Sequence, residues 1–185
     1  MWKWLILGLV LGGLCLLGKR KSNRKWEKWQ EKPMKKKAQD QIRIKGMVTE
    51  KNQMNITCYD IKGEQIGYLF ATYSLGQLSM EEQETGTVHV EQIMVNKTAR
   101  RKGVGTALFT YLYHVMQEVE ETYFSEFRYV YGEIGTVGGD DPKKSIPFYK
   151  NIAKYPYGRK TVQFQLREGT GYENPTQFYF YFSSH

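Results

Sequence analysis

The densest concentration of groups able to do chemistry is Arg100-Arg101-Lys102-Gly103-Val104-Gly105-Thr106. A run of cations enters a Gly-x-Gly turn, and an apolar-periodic segment follows it. Such a turn at the start of a helix exposes backbone N–H groups with no partner one turn earlier, beside the positive end of the helix dipole. That arrangement suits an anion, a phosphate above all. Arg100, Arg101 and Lys102 add side-chain charge at the same place. One carboxylate, Glu91, lies in the apolar strand before the turn, and a phenol, Tyr149, lies in a short segment after it.

These groups need a strand, a helix and a second short helix to position them. In Val88–Val95, Val88 and Val90 share one parity, while Ile93 and Val95 share the other. Side chains alternate strictly along a strand, so a change of phase predicts a β-bulge near Glu91-Gln92. After the turn, Val104, Leu108, Leu112, Val115 and Val119 make a helical stripe. Glu118, Glu120 and Glu121 oppose the helix dipole and place its end near there.

Upstream, Ile42–Val48 alternates as a short first strand, and Met54–Ile61 and Gln65–Ser74 form a hairpin about Lys62-Gly63. Leu75–Gly86, with Glu81, Glu82 and Glu84, reads as a polar loop. Downstream, Arg128–Gly135 is a strand, and Ser145–Ala153 is a helix with Ser145 as N-cap and Pro147 in its first turn. Thr161–Arg167 and Gln177–Ser183 are the final antiparallel pair. The order β-β-β-β-α-β-α-β-β implies an α+β fold around a mixed sheet.

The chain has 185 residues and a net charge of +8, unevenly spread. Lys19–Lys51 holds 13 Lys/Arg against 4 Asp/Glu; from Asn52 onward the balance is 13 against 15. A nucleic-acid-binding fold carries its basic charge on the fold itself, so this distribution argues against nucleic acid as a partner. Cys15 and Cys58 make no disulfide framework, and with His89, His114 and His185 they show no metal-ligand spacing.

Residues 1–18 read as a membrane anchor, residues 19–41 as a basic juxtamembrane stem and residues 42–185 as one folded domain. Leu5 to Gly18 carry no charge, and a helix from Trp2 reaches roughly 25 Å, the short end for a bilayer. No small-x-small cleavage site precedes Lys19-Arg20-Lys21, and Leu14 is too large for a lipoprotein motif at Cys15. The heavier basic flank follows the segment, which puts the domain on the cytoplasmic side. Trp26 and Trp29 among lysines fit a stem lying on anionic lipid.

The run Val95-x-x-x-x-Arg100-x-x-Gly103-x-Gly105, closing a bulged strand and opening a helix, resembles motif A of the GNAT family of N-acetyltransferases. The family pattern is Arg/Gln-x-x-Gly-x-Gly/Ala with an apolar residue five before the Arg. The flanking elements agree from about Ile42 to Phe182. The resemblance implies a mixed, mostly antiparallel sheet whose fourth and fifth strands run parallel and splay apart. It implies acetyl-CoA as co-substrate, its pyrophosphate held by the backbone amides of Arg101 through Thr106. It also implies that pantetheine pairs with the edge of Ile93 and Val95. Two helices that the family places between its first strands have no room between Val48 and Met54, which leaves the acceptor pocket undefined. Asp141-Pro142 replaces a frequent asparagine, and Ala153 a usual glycine.

A lysine-like amine with pKa about 10.4 is neutral only about once in 2,500 at pH 7, a deficit of roughly 4.6 kcal/mol. A positioned base offsets it, and Glu91 at the bulge is the candidate; the alternative is a solvated strand carboxylate. By resemblance Tyr149 protonates the leaving thiolate; it can equally pack beside Phe148, with Tyr155 or Tyr157 taking that role. The expected activity is acetyl transfer from acetyl-CoA to a primary amine at the cytoplasmic membrane face. The alternative is a non-catalytic acyl-CoA-binding or membrane-tethered interaction module on a degenerate fold of this kind. No residue pattern names the acceptor.

Overall fold

Alternating apolar and polar residues from Ile42 to Ser74 commit this half of the chain to strands that bury one face. The computed structural model describes residues 42–76, 86–135, 142–170 and 173–183. Among them the strands are β1 (Ile42–Val48), β2 (Gln53–Asp60), β3 (Gln65–Ser74), β4 (Gly86–Val95), β5 (Phe127–Ile134), β6 (Thr161–Arg167) and β7 (Thr176–Ser183). They form one sheet in the order β1-β2-β3-β4-β5-β7-β6. The β4–β5 pair is parallel and its neighbours pair antiparallel, which is the expected mixed α+β arrangement. Helix α1 (Val104–Tyr123) makes the crossover from β4 to β5, and α2 (Pro142–Ile152) links β5 to β6. A short 3-10 turn, Lys97–Ala99, lies between β4 and α1.

Both faces of the sheet can be read from the register. Met54, Ile56, Cys58, Leu69, Ala71, Val88, Val90, Val130, Phe178 and Phe180 are buried on the core side. Against them α1 lays Leu108, Phe109, Leu112, Met116 and Val119. Phe109 is the hub, with its ring within 5.8–6.1 Å of Phe148, Tyr149, Phe178 and Phe180. The opposite face carries half-exposed Thr72, His89, Tyr129, Tyr131, Tyr179 and Tyr181.

That second face has no helix on it from the β1–β2 connection. Thr49–Asn52 closes it as a tight turn: the Thr49 N–H donates to the Gln53 carbonyl at 2.9 Å, and the Asn52 N–H to the Thr49 carbonyl at 3.2 Å. Asn52 sits at φ 57, a conformation asparagine tolerates. The two helices expected to be absent are absent here.

One helix limit meets expectation and one differs. Helix α1 ends at Tyr123, near its glutamates as expected, and Glu120 does not face the negative helix end alone. Its Oε1 accepts the Phe127 N–H at 2.6 Å and lies 3.6 Å from Lys160 Nζ. Helix α2 begins at Pro142, not after Ser145. Proline presets φ for the first helical position, so the helix starts one turn earlier. Pro147 therefore lies inside the helix, where it lacks the N–H that would reach back to Lys143.

The expected anchor and stem, residues 1–41, and the acidic loop with Glu81, Glu82 and Glu84 lie outside the described residues. Among the described residues no helix is long and apolar enough to cross a membrane. Among them, too, no group of His, Cys, Asp and Glu could hold a metal ion.

Candidate active site

The site begins where two strands part. Val90 opposite Gly132 is the last β4–β5 pair. Beyond it Glu133 and Ile134 keep only the pairing with β7 that β5 already makes from Tyr129, while β4 stays paired with β3 as far as Val95. The β5-facing edge of β4 is open over Glu91–Val95. The cause is the bulge expected from the change of phase: Phe70 faces Gln92, Ala71 faces Val90, and Glu91 is the extra residue between them. An extra residue bends its strand, which turns β4 away from β5 at that point.

Gly132 permits the close approach at the fork. A Cβ there would lie 2.7 Å from the Val90 carbonyl oxygen and 2.8 Å from Phe178 Cε1. The fork opens into a cleft of about 520 Å³. Val90 to Val95 forms one wall, Glu133 and Tyr149 lie across from it, and Lys97 and Arg100 stand at the helix end. The cleft thus has cations at one end and carboxylates at the other.

Glu91 is neither buried nor freely solvated; its side chain is 38% exposed. Its Oε1 accepts from Thr72 Oγ1 at 3.0 Å and lies 3.1 Å from His89 Nδ1. The His89 ring in turn stacks on Tyr131, with centroids 4.6 Å apart and planes 13° from parallel. His89 lies two residues before Glu91 on the same strand face, and its place at the carboxylate was not among the sequence expectations. Thr72 reaches Glu91 only because β3 pairs with β4 in this register.

Tyr149 is buried and still lines the cleft. It stacks on Phe178 at 4.2 Å, so packing and a place at the site go together. Burial pushes its phenol up from 10.0 to about 12. Tyr155 is exposed and Tyr157 is buried against Phe182 and Tyr113; neither lines the cleft.

At the basic turn, Arg101 and Gly103 both take positive φ, 63 and 83. Gly103 caps α1 without a side-chain hydrogen bond, and the Ala107 N–H to Gly103 carbonyl bond opens the helical ladder. The N–H groups of Val104, Gly105 and Thr106 therefore precede the first intrahelical bond. Arg101, Lys102 and Gly103 are exposed, whereas the Val104 side chain is buried against Gly67. Of this run only Arg100 lines the cleft; Arg101 to Thr106 lie outside its lining. Arg100 also reaches back, its Nε donating to the Val95 carbonyl at 3.2 Å. Gly105 lets α1 meet α2: a Cβ there would lie 3.0 Å from Phe148 Cε2.

Residues 20–150 match the model of the acetyltransferase (GNAT) family. No curated protein matches the chain. Similar solved structures include a bacterial toxin, at 16% identity over 70% of this chain and 67% of that one, with a TM-score of 0.49. NAA60 of Arabidopsis thaliana, in complex with a bisubstrate analogue, is 16% identical over 71% of this chain and 75% of its own, with a TM-score of 0.45. Nourseothricin acetyltransferase is 18% identical over 72% and 66%, with a TM-score of 0.44. With the family model spanning most of its length, the chain belongs to the acetyltransferase (GNAT) family and is an N-acetyltransferase.

Proposed function

We propose that the enzyme moves the acetyl group of acetyl-CoA directly to a primary amine, with both reactants meeting at the β4–β5 fork. One observation carries this reading: the open edge of β4, the Glu91 carboxylate, the Arg100 guanidinium and the Tyr149 phenol all border one cleft. The pyrophosphate lies against the amides of Arg101 to Thr106, with Arg100 and Lys102 adding charge. Pantetheine runs along Ile93 and Val95 as an added strand. Arg100 already holds the Val95 carbonyl, so pairing there falls to the remaining edge groups.

Glu91 takes the proton from the ammonium of the acceptor, directly or through water. The freed nitrogen attacks the thioester carbon, and the C–S bond breaks as the tetrahedral intermediate collapses. On collapse the second nitrogen proton passes to the departing thiolate, which leaves as thiol, and the proton taken by Glu91 returns to solvent. A phenol near 12 does not give its proton fully to a thiolate near 8.5, a transfer uphill by roughly 5 kcal/mol. Tyr149 therefore acts as a hydrogen-bond donor to the departing sulfur, a narrower role than full protonation.

Residues 1–18 and the basic stem tether the enzyme to the cytoplasmic face of a membrane in this reading. Co-sedimentation of the full chain with anionic vesicles, lost on deletion of residues 1–41, supports the tether. Release of free thiol from acetyl-CoA by the full chain, lost in a Glu91→Gln/Tyr149→Phe pair, supports the chemistry. Binding of acetyl-CoA with no thiol release for any amine offered would overturn it.

A further inference from the structure

Glu91 is held from β3 and from its own strand, and the two holds differ in kind. Thr72 stands directly opposite His89 in the β3–β4 register, and its hydroxyl donates to Glu91 Oε1. From its own strand Glu91 is met by His89 Nδ1 on the same oxygen. His89 is fixed from the other side, because Tyr131 stands opposite it in the parallel β4–β5 register and stacks on its ring. Tyr131 stacks in turn on Tyr179 of β7, centroids 5.9 Å apart and planes 13° from parallel. An ordered row of rings thus ends on an imidazole, and the imidazole ends on the carboxylate.

An ionised carboxylate only accepts hydrogen bonds, so the nitrogen facing it must carry the proton. We infer that His89 is a positioning residue for acetyl transfer: its Nδ1–H holds Oε1 of Glu91 and leaves Oε2 for the acceptor amine. The inference rests on Glu91 acting as the base. A bulge residue lacks one cross-strand partner, and its side chain would otherwise swing freely over the cleft mouth. Two donors on one oxygen remove that freedom before the acceptor arrives. Preorganisation of this kind matters for rate because misplacing a reacting group by about 1 Å can cost on the order of 100-fold.

The two contacts of His89 can be separated by substitution. His89→Asn keeps an N–H near the place of Nδ1 and abandons the ring stack. His89→Phe keeps the stack on Tyr131 and abandons the donor. Turnover is read as free thiol released from acetyl-CoA with n-propylamine as the probe acceptor. A positioning role predicts that Asn stays within about threefold of the native kcat while Phe falls about tenfold or more. It also predicts no further loss when His89→Phe is added to Glu91→Gln. A purely structural ring predicts the reverse order, and that order would overturn the inference. If Glu91→Gln alone keeps native turnover, it is the assignment of the base that fails. A second measurement needs no acceptor: imidazole nitrogen NMR of the native protein should show His89 as the Nδ1–H tautomer, shifting to a mixture in Glu91→Ala. An Nε2–H tautomer in the native protein would also refute the hold.

Discussion

Replacing Gly132 by alanine tests how tightly the fork is built. The added Cβ would stand 2.7 Å from the Val90 carbonyl oxygen and 2.8 and 2.9 Å from Phe178 Cε1 and Cζ. Carbon atoms rest at roughly 3.5 Å or more, so the ring contacts are short by about 0.6–0.7 Å. Neither neighbour yields easily. Val90 is backbone in the last β4–β5 pair, and Phe178 is fully buried with Tyr149 stacked on it at 4.2 Å. Overpacking of a core costs about 1–3 kcal/mol, and two rigid neighbours place this site in the upper half, near 2 kcal/mol. For a domain of this size that is a drop in Tm of roughly 7 °C. The tryptophans, Trp2, Trp4, Trp26 and Trp29, all precede the described fold, so denaturant unfolding should be followed by far-UV circular dichroism. The same push on Phe178 moves Tyr149, so kcat should fall about tenfold beyond any loss of folded protein. Gly63→Ala is the control: it has φ +85 and nothing within 4 Å, so it should cost only about 1 kcal/mol and leave kcat alone. A Gly132→Ala midpoint within about 0.5 kcal/mol of native would refute the tight fork.

Tyr149→Phe should lower kcat about tenfold with little change in KM for acetyl-CoA, because the lost hydrogen bond forms on the departing sulfur; steady-state kinetics separate the two. Gly105→Ala would press its Cβ on Phe148 at 3.0 Å, and calorimetric titration should show weaker acetyl-CoA binding as the α1 amides shift. Stability should fall at alkaline pH. Burial raises the Cys58 thiol from 9.0 to about 11 and the Tyr149 phenol from 10.0 to about 12. Folded pKa values above the unfolded ones mean this stability is whole below about pH 9 and is lost as pH rises toward 12. Cys58→Ala should flatten the fall between pH 9 and 11 in urea melts. Glu120→Ala strips the acceptor from the Phe127 N–H and should cost about 1–2 kcal/mol by the same melts.

The succession of strands along the chain and the crossover helix were legible because their signals are local, whereas the parallel β4–β5 pairing came only through the family resemblance. Residues at period two and 3.6, read without a partner in view, are enough to place β3, β4 and α1. The bulge was legible for the same reason, since Val88/Val90 and Ile93/Val95 differ in parity within one strand. The start of α2 was not legible, because two residue types competed for it. Ser145 is a favoured N-cap type, and proline equally suits the first helical position, where Pro142 stands.

The site divides in the same way. Its anion end is a property of the turn, where the glycine spacing and the helix start together expose the amides. Its carboxylate end depends on three strands being in one register. Thr72, His89 and Tyr131 lie 17 and 42 positions apart along the chain, and the β3–β4 and β4–β5 pairings set them side by side. One residue of slip in either pairing would turn Thr72 or Tyr131 to the core face and free Glu91. The bulge therefore does two things with one extra residue. It opens the edge along Ile93–Val95, and it keeps Glu91 on the face where Thr72 and His89 can hold it. Deleting Gln92, which restores a one-to-one register and keeps Glu91, should close the slot and loosen the carboxylate together. A Gln92 deletion that kept acetyl-CoA binding but lost turnover alone would show that the two effects are separable.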